Sequence, residues 1–199
     1  MAELEPPGPG KIPWVAPRPL GYGPADAVAL FIAAPLLTAA ALSLAGVVGG
    51  ADTHFRWPGP ILLLLVISAL ALIASIQLSY HARLYLYSYD DLVNWYSEEY
   101  VKDHRLPLYN RQKDDFEDWE KYNFAAVVCF NAGTLLLGLG IAAALVPPDG
   151  GVQAPWRWTA AVVVLLATVV DGIWITVLHR KVARYPFDVL VRRAIGRRS

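Results

Sequence analysis

Four long apolar runs alternate with polar segments along this chain: Asp26 to Gly50, Pro60 to Tyr80, Phe124 to Val146, and Trp156 to Leu178. Each is long enough to cross a bilayer as a helix, which takes about 20 residues. Lipid offers the backbone no hydrogen-bond partner, so an apolar run in a bilayer must bond within itself as a helix. Four such runs in 199 residues leave too little polar surface for a soluble fold. The pattern predicts an all-α polytopic membrane protein with four transmembrane helices.

The polar segments set how the runs connect. The loops after runs one and three are short, so the runs pair into two antiparallel hairpins, at residues 26–80 and 123–178. Pro147, Pro148, Asp149 and Gly150 predict a tight turn in the second hairpin. Residues 1–25 form a proline-rich N-terminal segment without the charged n-region of a signal peptide. Residues 81–122 are too many for a plain turn. Ser88 followed by Asp91 suits a helix N-cap, and Asp91 to Tyr100 predicts a helix carrying Leu92, Trp95, Tyr96 and Glu99. Leu106-Pro107-Leu108 is expected to break it, and Asp114 to Lys121 predicts a second helix leading into run three. Together they are expected to form a small helical cytoplasmic cap. Residues 179–199 form a basic tail.

An offset of 98 residues aligns the two hairpins. His81 then meets His179, Tyr87 meets Tyr185, Asp90 meets Asp188, and Leu92-Val93 meets Leu190-Val191. Pro35 meets Gly133, both plausible kink points. A tandem repeat is expected, with both copies running the same way through the bilayer. An inverted repeat is the common mark of alternating-access carriers.

Charge gives the orientation. Lys plus Arg equals Asp plus Glu at 17 each, so no net charge points to nucleic acid. The loops after runs one and three hold only Arg56 and Arg157, and every other Lys and Arg lies in the N-terminal segment, the central loop or the tail. The positive-inside rule makes those three regions, and both termini, cytoplasmic, with Trp57, Trp156 and Trp158 at the outer interface. The richness in Ala, Val, Gly, Arg and Pro suggests a bacterial protein, hence the inner (plasma) membrane. The central loop carries six Lys or Arg and ten Asp or Glu; the tail carries seven and one. The tail residues Arg180, Lys181, Arg184, Arg192, Arg193, Arg197 and Arg198 are therefore expected either to contact anionic lipid headgroups or to dock on the acidic loop.

Candidate chemistry is sparse. Asp171 is a carboxylate within a span, which is costly and by default marks a functional site. Asn131 on run three falls at a similar depth. A structural role is a protonated Asp171 bonded to Asn131 as helix glue; a functional role is lining a water-filled or conducting path. Asn131, Thr134, Gly138 and Ala142 share one helical face that suits close packing. Run two, bulky from Ile61 to Leu65, is expected to face lipid, with Ser75 and Gln77 near the inner leaflet. Cys129 reads as a small buried hydrophobe. His54, and the group Glu98, Glu99, Asp103 and His104, lack the spacing of a metal site, so no cofactor is expected.

These features predict a non-enzymatic, oligomeric membrane protein, a pore or channel-like effector gated from its cytoplasmic side. The alternative is a scaffold or accessory subunit of a larger membrane complex. A lipid-acting enzyme would need acid/base groups at the inner interface, for which His81, Asp90, His179 and Asp188 are the only set.

Overall fold

A computed structural model describes Trp14, residues 28–149 and residues 153–195, with Asp52 and residues 178–195 as backbone alone. All regular structure among the described residues is helical. The helices are α1 (Ala29–Gly50), α2 (Pro58–Arg83), α3 (Tyr89–Tyr96), α4 (Glu98–Asp103), α5 (Arg105–Leu145) and α6 (Ala154–Ile195), with a 3-10 turn at Asp52–His54. Four of them are long and apolar enough to cross a membrane: α1, α2, α5, and α6 over Ala154–Val177.

Local sequence explains most boundaries. The first turns of α1, Ala29–Ala33, are π-helical, and the Ala34 N–H reaches back to the Ala29 carbonyl. Pro35 follows at once. Its ring lacks an N–H and crowds the carbonyl four residues back, and a one-residue π expansion relieves that crowding. Ser88 caps α3 in a full capping box: its hydroxyl accepts from the Asp91 N–H, and Asp91 accepts from the Ser88 N–H at 2.7 Å.

The helix expected over Asp91 to Tyr100 is instead two helices. Ser97 has a φ of 75°, and this left-handed residue ends α3 and begins α4. The break expected at Leu106-Pro107-Leu108 falls earlier, at His104. Pro107 sits in the first turn of α5, where a missing N–H costs nothing because that donor has no intrahelical partner. α5 then runs unbroken through the expected Asp114–Lys121 helix into the apolar run.

The two halves of the expected repeat differ here. The chain leaves α2 at Arg83 and starts a new helix at Tyr89, whereas α6 continues through Tyr185 and Pro186 to Ile195.

The described chain divides into two compact units. The unit of residues 37–71 and 131 onward holds the main apolar core. Ala41, Ala45 and Val48 of α1 meet Ile61, Leu65 and Ala69 of α2 and Leu137 and Ala144 of α5. Small residues on α1 at three- and four-residue spacing let backbones approach, which is how helices gain dispersion contact in lipid, where no hydrophobic drive exists between them. Two α5 glycines extend this. A Cβ at Gly140 would fall 2.9 Å from the Leu65 side chain, and one at Gly138 would collide with Thr168 on α6.

The other unit, residues up to 36 with 72–130, buries Leu92 of α3, Val101 of α4, and Gln112, Trp119, Asn123 and Ala126 of α5. The Arg83 guanidinium lies 4.1 Å from the centre of the Phe31 ring.

Run two has two sides: Leu62, Leu63, Val66, Ile67, Leu70 and Ile73 are exposed, as a lipid-facing side would be, while the other side packs inside the chain. On α2 the residues Ile61, Leu65, Ser68, Leu72, Ser75, Ser79 and Ala82 are all buried. They alternate at four and three residues, the spacing of a helix-packing seam. The sequence shows bulk at Ile61 to Leu65, and of those residues Ile61 and Leu65 are fully buried while Leu62 and Leu63 are exposed.

Candidate functional site

Asp171 lies on α6, the least buried of the four spanning helices; only 6% of its apolar window is buried. Arg157 and His179 bracket it along the helix, about 21 Å and about 12 Å away by helical rise. α6 has one packed face, formed by Arg157, Ala161, Val164, Thr168, Gly172 and Ile175, all buried or half-buried. Asp171 sits at the edge of that face and is exposed. Among the described residues no hydrogen bond joins it to Asn131, so the expected helix-glue pair is not formed. Asn131 is half-buried, and its backbone carbonyl accepts from the Thr134 hydroxyl at 2.9 Å, within α5.

The face of α5 named from sequence divides by neighbour. Gly138 lies against Thr168 of α6, and Ala142 is buried. A Cβ added at Gly172 of α6 would meet the Leu135 side chain of α5 at ordinary van der Waals distance.

Most hydroxyls in these helices bond back to their own helix: Ser75 to Leu72, Thr168 to Val164, and Thr176 to Gly172. Such bonds satisfy the group without a partner. Ser68 is different. Fully buried, it donates 2.7 Å to the Gly133 carbonyl and ties α2 to α5. A serine inside the apolar run was the available signal, and the bulk of its neighbours concealed it.

At the other end of this unit, Arg157 donates to the Ala144 and Leu145 carbonyls at 3.2 and 3.3 Å. It thereby satisfies the last turn of α5, whose carbonyls have no helical partner. Arg56 pairs with Asp149 at 3.5 Å and lies over the Trp57 ring. Both cations therefore have local work besides any role in orientation.

The residue 72–130 unit is rich in aromatic contacts. Tyr85 stacks on Tyr122 at 5.7 Å, and His81 meets Tyr122 edge-on. Tyr100 stacks between Tyr96 and His104. Trp14 lies 5.5 Å from Tyr89 and 6.3 Å from Tyr109. The Tyr87 hydroxyl donates to Asp115 at 2.7 Å. Burial first, and that hydrogen bond second, push its phenol well above the ordinary range. Glu98 pairs with Lys102, which holds the Glu98 carboxyl below its usual range.

Among the described residues no group of His, Cys, Asp and Glu could hold a metal. Cys129 is half-buried and free. His81 lies in the last turn of α2 and Asp90 in the first turn of α3. The side chains of His179, Asp188, Arg180, Lys181, Arg184, Arg192 and Arg193 lie outside the described residues, as do Arg197 and Arg198 entirely. What the geometry leaves as a candidate site is a carboxylate on an open helix face within an apolar stretch. Comparison with protein-family models, curated proteins and solved structures finds no match to this chain.

Proposed function

We propose that this chain is a non-enzymatic membrane subunit that acts by assembling through α6. Asp171 carries the reading: a carboxylate at membrane depth, exposed on an apolar helix, is costly against lipid and is stabilised by a polar partner on another chain. The open apolar surface of α6 beside it supports the same reading. The distribution of Lys and Arg supports cytoplasmic termini, with α3, α4 and the start of α5 as a cytoplasmic cap and the basic tail against anionic headgroups. The aligned residues at an offset of 98 support a tandem duplication whose halves have since diverged.

Within this reading a channel-like effector comes first and an accessory subunit of a larger complex second. Copies joined along α6 would bring their Asp171 carboxyls together at membrane depth, where they could line a path. The test is paired: particle size in detergent and conductance in planar bilayers. The reading expects particles larger than one chain for wild type and Asp171→Asn, and smaller particles for Asp171→Leu. An altered ion selectivity in Asp171→Asn favours the channel, and unchanged conductance favours the accessory subunit. Particles of one chain under every condition, with no co-purifying membrane partner, would sink the assembly reading.

A further inference from the structure

We infer that the surface seated on α6 is a second copy of this chain, and that Asp171 pairs with the Asp171 of that copy across a two-fold axis. This rests on α6 being the assembly helix, and it names the partner.

The argument begins with what a second copy can offer. Within the apolar stretches of α1, α2, α5 and α6, Asp171 is the only Asp, Glu, Lys or Arg between Ala29 and Gly50, Pro58 and Tyr80, Phe124 and Leu145, and Trp158 and Val177. A copy of this chain brings no cation to that depth. It does bring the same carboxyl group. An un-ionised carboxyl holds one donor and spare acceptor capacity, so two of them satisfy each other. Self-complementarity is what a two-fold interface requires, because each surface patch meets its own copy. A basic partner would require the ionised form in a poorly solvated site, where desolvation offsets much of the attraction.

The helix surface suits the same occupant. Val163, Ala167, Val170 and Trp174 are all exposed and alternate at four, three and four residues. They lie beside Asp171, on the flank away from the face packed inside the chain. This is the spacing of a left-handed helix pair. Ala167, one turn before Asp171, is small enough to let a second backbone come close. Val169 points across the helix, on the side opposite Asp171.

Cross-linking in native membranes tests this with the full chain in a Cys129→Ser background. Ala167→Cys should give, with a short bis-maleimide, an adduct of twice the 21.8 kDa chain mass. Val169→Cys should give at least about fivefold less, since it faces away from the seam. Added to Ala167→Cys, Asp171→Leu should lower the adduct yield about tenfold, and Asp171→Asn, whose amide is also donor and acceptor, less than about threefold. The Asn variant guards against a folding defect in the Leu variant. An adduct of some other mass would overturn the second copy and leave α6 as an assembly helix. No adduct from either cysteine would overturn both. Equal yields from Ala167→Cys and Val169→Cys, or an unchanged yield in Asp171→Leu, would overturn the two-fold Asp171 pair.

Discussion

Helices α2 and α6 look alike as strings of letters and differ as parts of a structure. Their apolar windows have mean hydropathies of 2.7 and 2.3, yet 33% of the first is buried inside the chain and only 6% of the second. The more hydrophobic helix is the more enclosed, and it carries the buried serines. The helix with the membrane's one carboxylate is the more open. In a soluble protein apolar residues go inside because water expels them. Between lipid and protein that drive vanishes, so hydropathy places a helix in the bilayer without saying which neighbours it packs against.

Four substitutions would break or sharpen this contrast, each read as the shift in unfolding free energy in detergent. Gly138→Leu should be the most damaging, about 3 kcal/mol, because any side chain there collides with Thr168 of α6. A neutral result would mean that α6 is not held there at all. Leu65→Ala should follow at about 2 kcal/mol. That lies at the low end for a buried leucine, since lipid removes the transfer part and leaves the cavity. Ser68→Ala should cost about 1 kcal/mol through the lost bond to the Gly133 carbonyl. Leu166→Ala on the open side of α6, 59% exposed, should stay within about 0.5 kcal/mol in monomeric protein. Equal losses for Leu65→Ala and Leu166→Ala would erase the contrast.

A fifth measurement gives a reference outside both helices. Tyr87 has its phenol raised above the ordinary 10.0 by burial and by its bond to Asp115. A raised value means that the folded state favours the protonated form. The stability it contributes is therefore complete below pH 10 and is lost as pH climbs above it. Wild type should thus exceed Tyr87→Phe by a constant margin from neutral pH to about 10, and the margin should shrink beyond. A margin that grows with pH would reverse the sign and remove the Asp115 hydrogen bond as its cause.

Sequence by itself determined that this chain is helical and carries four runs long and apolar enough to cross a membrane, because bilayer thickness fixes the length of an apolar run and lipid forbids an unpaired backbone. It also determined the N-cap at Ser88, since a side chain reaching three residues ahead is a local matter. It singled out Asp171 by chemistry, as an acid where acids are costly. Only the tertiary structure decided that Ser68 ties α2 to α5, that Arg157 caps α5, and that Asp171 stands apart from Asn131. Each depends on the rotation of one helix against another. In lipid that rotation is set by small differences in packing, such as a glycine at 138 or an alanine at 41, spread over residues far apart in the chain. Periodicity along one helix cannot reveal it, because the deciding partner lies on another.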